Sequence, residues 1–122
     1  MDCIFCKIIN GEIPSYTLYE DNDVKVFLDV NPEANGHMLI IPKKHYTALK
    51  DIPLDTLTHI MEIAKKMENI IMDKLKADGL RLVQNNGFIQ EVKHYHLHLI
   101  PAYQNKQDKK DPKEIYEILK AL

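Results

Sequence analysis

Three histidines alternate with other residues in the segment His94-Tyr95-His96-Leu97-His98. On a β-strand, alternate side chains share a face, so the imidazoles would form a row with neighbours about 6–7 Å apart and ends about 13 Å apart. Two neighbours can hold one metal ion, but three rings in a row cannot converge on one zinc at about 2.0–2.1 Å. The row instead suits a phosphate ester, with one uncharged ring placed for in-line attack. The simpler alternative is a set of hydrogen-bonded histidines on a half-exposed strand.

Two cysteines near the start of the chain, Cys3 and Cys6, form a Cys-x-x-Cys pair. A redox pair with this spacing would follow a strand, and only two residues come before Cys3 in this sequence. A zinc ribbon would need a second cysteine pair, which the sequence lacks. Two thiolates and two histidines would complete a tetrahedral structural zinc site. Under reducing conditions the pair is therefore interpreted as metal ligands or free thiols, and not as a disulfide.

The composition limits the classes of partner. The 122 residues are 45% hydrophobic and 28% charged, which suits one globular domain over residues 1–122. The net charge of -2 gives no strong field for nucleic acid or an anionic membrane, and we expect neither as a partner. With Arg81 as the only arginine and only 4 glycines, we expect neither an arginine fork on phosphate nor a P-loop. The start of the sequence does not resemble a signal peptide, so we expect a cytoplasmic protein.

Hydrophobic periodicity predicts an α+β fold with a mostly antiparallel sheet of about five strands. One long amphipathic helix is expected over Leu54–Lys76, with Gly79 just past its end. The predicted strands are Tyr16–Glu20, Val24–Asp29, His37–Pro42, Leu80–Asn85 and Tyr95–Tyr103. Short helices are predicted over Ile4–Ile9, stopping at Asn10-Gly11, and over Pro112–Leu122, with Ile115, Ile118 and Leu119 facing inward.

Together with its flanks, the histidine row resembles the signature of the histidine-triad (HIT) family, which is His-x-His-x-His followed by two apolar residues. Further segments stand in the family's order along nearly the whole chain: residues 3–9, 11–14, 27–29, 36–37, 41–45 and 90–92. The resemblance implies a HIT-like fold with one long helix and a short C-terminal helix. It also implies a homodimer whose sheets join edge to edge.

The resemblance implies roles for individual residues around a nucleotide. Members of the family form a covalent nucleotidyl-histidine on the middle residue of the triad, here His96, while His98 donates to the phosphate oxygens. Gln90 stands where the family contacts the phosphate and the bridging atom, and Asn85 where it uses an asparagine near the α-phosphate. Asp29 matches the ribose-binding acid. The apolar lining of the base pocket corresponds to Ile4, Phe5, Ile8, Phe27 and Val30.

The resemblance also assigns the cysteine pair. Zinc-bearing members of the family use this pair together with the histidine after Pro-Lys-Lys and the first histidine of the triad. The predicted ligands of a structural zinc are therefore Cys3, Cys6, His45 and His94. Of the two remaining histidines, His37 is expected to support the site and His59 to be solvated on the long helix.

Two departures from the family pattern lie next to the predicted site. Only Phe88 and Ile89 separate Asn86-Gly87 from Gln90, whereas relatives have a longer loop that ends in Gly-Gln. Glu91 replaces a serine or threonine, and an ionised carboxylate cannot donate a hydrogen bond. We expect Glu91 either to face away from the phosphate or to favour a cationic leaving amine; a solvated charge at the end of a strand is the plainer alternative.

The predicted function is hydrolysis of a purine nucleoside phosphoramidate through a covalent intermediate on His96. A dinucleoside polyphosphate hydrolase would use the same chemistry on a longer substrate, and the sequence separates the two poorly. A non-catalytic nucleotide-binding or scaffold module with a purely structural zinc is the third possibility. A metal-dependent hydrolase is the least favoured, because the triad has no Asp or Glu ligand in its strand.

Overall fold

A computed structural model describes residues 3–120 and confirms the α+β fold with one long helix. Five strands form one antiparallel sheet in the order β1-β2-β3-β5-β4. The strands are β1 (Thr17–Glu20), β2 (Val24–Leu28), β3 (Met38–Pro42), β4 (Gly79–Val83) and β5 (Leu97–Ala102). The helices are α1 (Ile4–Ile9), α2 (Leu54–Leu75) and α3 (Pro112–Lys120), with single 3₁₀ turns at Leu49–Asp51 and Gly87–Ile89. No helix within residues 3–120 is long and apolar enough to span a membrane.

Helix α2 covers one face of the sheet and forms the main core. Its buried side consists of Ile60, Ile63, Ala64, Met67 and Ile71. The predicted bounds of this helix are confirmed to within one residue, but it ends in a left-handed Lys76 with φ +57°, three residues before Gly79. Gly79 is instead the first residue of β4, where it pairs with Ala102.

Helix α1 covers part of the opposite face and forms a smaller core with Phe27, Leu39 and Ile41. The predicted stop is confirmed, because Gly11 follows Asn10 with φ +79°. The buried Lys25 donates from Nζ to the Ile8 carbonyl at 3.3 Å, which ties the end of α1 to β2. This face carries both the cysteines and the histidine row.

The histidine row is not all strand, so the predicted strand Tyr95–Tyr103 was wrong at its start. Strand β5 begins only at Leu97, opposite Ile40 of β3, and His98 is the one triad histidine within it. The reason is local hydrogen bonding. The carbonyl of His94 accepts from the His96 ring, and the Tyr95 amide donates to Tyr46 outside the sheet.

The C-terminal helix α3 buries Ile115 and Leu119 as predicted, but Ile118 is 38% exposed. The predicted set of inward-facing residues therefore wrongly included Ile118. The last two residues of the predicted helix, 121–122, lie outside the described residues.

Candidate active site and metal centre

His96 is held with one ring nitrogen occupied and the other free of protein partners. Its Nδ1–H donates to the His94 carbonyl at 2.7 Å, and the edge-to-face ring of Phe5 lies 5.0 Å away between centroids. Because Nδ1 carries the proton, Nε2 keeps its lone pair. Burial lowers the pKa of His96 below its ordinary value, which keeps the ring uncharged at neutral pH. The ring is therefore in the form needed for nucleophilic attack through Nε2.

A chain of hydrogen bonds sets the tautomer of His98, so that its Nε2 carries a proton whereas Nε2 of His96 does not. The Glu33 amide donates to Nδ1 of His37 at 3.0 Å, so that nitrogen is an acceptor and the proton of a neutral His37 sits on Nε2. That Nε2–H then donates to Nδ1 of His98 at 2.9 Å. The remaining proton of His98 is consequently on Nε2. The His96 and His98 rings are 4.9 Å apart between centroids, so a ring nitrogen with a free lone pair and a ring N–H donor stand side by side.

These rings open into a cavity of about 370 Å³. Besides the histidines, its lining includes three carboxylates, from Asp29, Glu33 and Glu91, together with Asn85 and Ile89. No lysine or arginine belongs to this lining among the described residues. The carboxylate of Glu33 lies 3.4 Å from the guanidinium of Arg81 at the rim. Glu91 lines the cavity and is exposed, so its role toward a leaving amine stays a prediction beside the plainer alternative of a solvated charge.

The residues predicted for the nucleoside fall into two groups. Phe5, Ile8 and Phe27 are buried, with Phe5 packed edge-on to Phe27 at 5.7 Å between centroids. Ile4 and Val30 are 50% and 66% exposed, so they remain free to contact a planar base. Asp29 lines the cavity, where its Oδ1 accepts from the Asn31 amide at 2.8 Å.

Gln90 does not line the cavity. Its side chain is buried, and its Nε2 donates to the Thr47 carbonyl at 2.6 Å. This contact anchors the segment before the triad to the segment after β3. The predicted contact between Gln90 and the substrate phosphate stays a prediction.

The four predicted metal ligands come together beside the cavity. Their ligand atoms all lie within 4.8 Å of one another, and they are Cys3, Cys6, His45 and His94. Nδ1 of His94 is 3.5 Å and 3.6 Å from the two sulfurs, and Nδ1 of His45 is 3.4 Å from Cys6 Sγ. Tetrahedral zinc with ordinary bond lengths separates a sulfur from a nitrogen by about 3.6 Å. The cluster therefore fits zinc.

The chemistry of the donors agrees with this geometry. Nε2 of His94 donates to the Pro42 carbonyl at 2.8 Å, which leaves Nδ1 as an acceptor toward the cluster. Burial lowers the pKa of His94 to about 4, so the ring is neutral, which is the form that binds metal. Burial and the neighbouring Cys3 raise the pKa of Cys6 to about 11. Because this pKa is so high, the thiolate form of Cys6 requires a neighbouring cation such as a metal ion.

The prediction that His59 is merely solvated was wrong. Its Nε2 lies 2.7 Å from Oδ2 of Asp21, and the Tyr19 hydroxyl donates to the same oxygen at 2.8 Å. The contact joins α2 to the turn between β1 and β2. Nothing in the local sequence around His59 indicates a partner 38 residues away.

Comparison with known proteins gives consistent matches. A family model described as HIT domain matches residues 10–105. An uncharacterized HIT-like protein of Methanocaldococcus jannaschii is 49% identical over 104 residues, which are 84% of this chain and 80% of that protein. An adenosine 5'-monophosphoramidase of Saccharomyces cerevisiae is 50% identical over 106 residues, 85% of this chain and 65% of the yeast protein. The crystal structure of a Zn-bound histidine triad family protein from Mycobacterium smegmatis matches with a TM-score of 0.90 and 32% identity, covering 99% of this chain and 92% of that one.

Proposed function

The chain belongs to the histidine-triad (HIT) family, and we propose that it is a hydrolase that cleaves the P–N bond of a purine nucleoside 5'-phosphoramidate. The observation that carries the proposal is the state of His96, whose Nδ1–H is bound to the His94 carbonyl while Nε2 faces the cavity uncharged. The similarity to a yeast adenosine 5'-monophosphoramidase supports the choice of substrate class.

The proposed reaction has two displacements at phosphorus. Nε2 of His96 attacks the α-phosphorus and forms an N–P bond, while the P–N bond to the leaving amine breaks. The amine nitrogen takes a proton from water before it departs with the electron pair. Nε2–H of His98 donates to a phosphoryl oxygen as charge builds there. Water then attacks phosphorus, releases its proton to solvent and returns His96 to its neutral form with the nucleoside monophosphate as product.

The charges around the cavity favour a phosphoramidate over a dinucleoside polyphosphate. Asp29, Glu33 and Glu91 surround the triad, and a polyphosphate would bring several further negative charges into their field. A phosphoramidate ester carries one negative charge on its phosphate group. A leaving amine that bears a second, protonated amino group would offset that charge. Glu91 is the carboxylate with which such an amine would interact.

The role of Glu91 is tested by Glu91→Ser, which restores the hydroxyl found in relatives. We expect this change to reduce the preference for phosphoramidates of cationic amines over those of neutral amines by about tenfold, the effect of roughly 1.4 kcal/mol of charge interaction. The measurement is kcat/KM for the adenosine 5'-phosphoramidates of 1,6-diaminohexane and n-hexylamine, which differ by one protonated amino group. An unchanged preference would remove Glu91 from leaving-group selection.

We propose that the chain binds a structural zinc. The residues that would hold it are Cys3, Cys6, His45 and His94. The zinc would cross-link three parts of the fold, which are α1, the segment after β3 and the triad segment. It would take no part in bond cleavage. Because the His94 carbonyl accepts from His96, a fixed His94 ring keeps the nucleophile oriented. A reducing cytoplasm, our proposed location, would keep both thiols available to the metal.

We propose a homodimer that forms through the free edge of β4. The opposite edge strand, β1, is flanked by α3, since the Tyr16 and Tyr116 rings lie 5.4 Å apart. Strand β4 instead exposes Arg81 and Leu82. An uncovered edge of this kind pairs readily with another strand. Sedimentation equilibrium giving 14.2 kDa, the mass of one chain, would contradict the dimer.

Release of AMP from adenosine 5'-phosphoramidate and from a diadenosine polyphosphate tests the proposal as a whole. We expect the phosphoramidate to have the higher kcat/KM. A better polyphosphate substrate would keep the chemistry of His96 and change the substrate class. Measurable AMP binding with turnover of neither compound would favour the non-catalytic nucleotide-binding module.

A further inference from the structure

A second cavity, of about 470 Å³, shares Glu33 with the catalytic cavity. Its walls are the loop that follows β2, at residues 32–35, and the segment at the end of β5, within residues 101–109. Among the described residues that line it there is no histidine. The proposed reaction therefore makes no use of this cavity. Concave sites with a few polar groups on an otherwise apolar lining are the usual sites for small molecules.

The two cavities differ in charge. Three carboxylates line the catalytic cavity, with no lysine or arginine among its described lining. Two lysines, Lys106 and Lys109, line the second cavity, where the one carboxylate, that of Glu33, lies 3.4 Å from the guanidinium of Arg81. Neither lysine forms an ion pair within residues 3–120. A concave surface with unpaired cations attracts anions, so the second cavity favours a ligand of the charge that the first one repels.

The segment that carries the two lysines is held in place, although it contains no helix or strand. It covers residues 103–111, between β5 and α3. The buried Asn35 fixes it from both ends of its amide, since Nδ2 donates to the Asp108 carbonyl at 2.9 Å and Oδ1 accepts from the Lys110 amide at 2.9 Å. The Tyr103 hydroxyl donates to the Asn35 carbonyl at 2.8 Å. Because the backbone is already ordered, a ligand that binds there pays little for ordering it.

We propose that this second cavity binds a phosphate monoester, with its phosphate at Lys106 and Lys109. A phosphate monoester carries about two negative charges at neutral pH, and lysine binds phosphate as a compact point charge. The cavity is larger than one phosphate ion, and part of its lining is apolar: Pro32, Pro101 and the ring of Tyr103. These groups would contact the organic part of the ester. The site goes beyond the proposed hydrolase activity and does not depend on it.

The test is a titration with phenyl phosphate at low ionic strength, followed through the ¹H–¹⁵N amide shifts of the whole chain. We expect saturable shifts at residues 103–110, and weaker binding when about 0.5 M sodium chloride is added. The double variant Lys106→Ala/Lys109→Ala should bind about tenfold more weakly, the scale of losing two exposed charge contacts. The matched control, Lys65→Ala/Lys66→Ala, removes two exposed lysines from α2 and should leave the affinity unchanged.

A second titration, with inorganic phosphate, tests the organic part of the ligand. We expect phenyl phosphate to bind about fivefold more tightly, because its ring would pack against the apolar part of the lining. Equal affinities would overturn the assignment to an ester and leave a site for free phosphate.

Three outcomes would overturn the second site itself. They are an absence of shifts at residues 103–110, shifts confined to the catalytic cavity, and a double variant that binds as tightly as the wild-type protein. None of these bears on the proposed function, which depends on release of AMP by the wild-type protein. Conversely, failure to release AMP would leave binding of phenyl phosphate at this cavity unaffected.

Discussion

His94 and His96 are two residues apart, yet their rings are held by opposite nitrogens. His94 donates from Nε2 to the Pro42 carbonyl and turns Nδ1 toward the two sulfurs. His96 donates from Nδ1 to the His94 carbonyl and turns Nε2 toward the cavity. The same kind of side chain thus offers Nδ1 to the sulfur cluster in one place and Nε2 to the cavity in the next, as the proposed roles of metal ligand and nucleophile require. The difference is set by which backbone carbonyl each ring meets, and one residue, His94, takes part in both arrangements.

The largest expected effect is on activity, and it follows from substitution of His96 at the cavity. His96→Ala removes the attacking nitrogen, and we expect AMP release from adenosine 5'-phosphoramidate to fall by about 10⁴-fold or more. The metal content, measured by elemental analysis, should stay the same because the ring of His96 is not in the cluster. If His96→Ala lost the metal as well as its activity, the cavity and the metal cluster would not be independent of each other.

On the metal side, we expect Cys6→Ala to abolish metal binding. The free energy of unfolding should fall by about 2–3 kcal/mol, which lowers Tm by roughly 10 °C in a chain of this size. Activity should fall about tenfold, because His94 loses its anchor. A chelator should lower the Tm of the untagged wild-type protein to that of the variant and leave the variant unaffected. Metal-free wild-type protein with the same Tm would contradict the site.

The donor side of the cavity depends on His37. We expect His37→Leu to lower kcat by about 100-fold, because His98 loses the donor that fixes its tautomer and can place its proton on Nδ1. His37→Gln keeps an N–H donor and should recover part of the rate. The pH profile of kcat should change in the leucine variant, which a purely structural defect would not produce. Equal rates in both variants would argue against the hydrogen-bonded chain.

The smallest effect is expected far from both regions, at the pair of Asp21 and His59. Although burial acts to raise it, hydrogen bonds from His59, Tyr19 and two backbone amides hold the pKa of Asp21 well below its ordinary value. A lowered carboxyl pKa stabilises the fold above about pH 4 and loses that contribution as the pH falls toward the folded-state pKa. Asp21→Asn should therefore cost about 1 kcal/mol at pH 7 and less near pH 3. Urea unfolding at the two pH values measures this, with no change expected in metal content.

Most of the fold was predictable because it follows from periodicity. The apolar spacing over Leu54–Leu75 and the short apolar runs of β2 and β3 are strong local signals. The start of β5 was not predictable, because it depends on a side chain-to-backbone hydrogen bond of His96. The end of α2 was predicted to within one residue, but its left-handed C-cap was not, because Lys76 takes a conformation that lysine rarely adopts and that Gly79 would have been expected to supply.

The residues of the candidate site could be named from the sequence, but their states could not. The resemblance supplied the four predicted metal ligands, and the structure brings their ligand atoms together. The tautomers of His94, His96 and His98 depend on carbonyls and rings that the fold delivers from distant segments, such as His37, 61 residues from His98. The donor role that Gln90 takes toward Thr47 is likewise a tertiary contact with no local pattern.

The stereochemical course at phosphorus tests the central claim most directly. A P-chiral adenosine 5'-phosphoramidothioate would be hydrolysed in ¹⁸O-labelled water, and the configuration of the product phosphorothioate determined. Attack by Nε2 of His96 followed by attack of water gives two inversions, so we expect net retention. Net inversion would show a single direct attack by water and would contradict a covalent intermediate on His96.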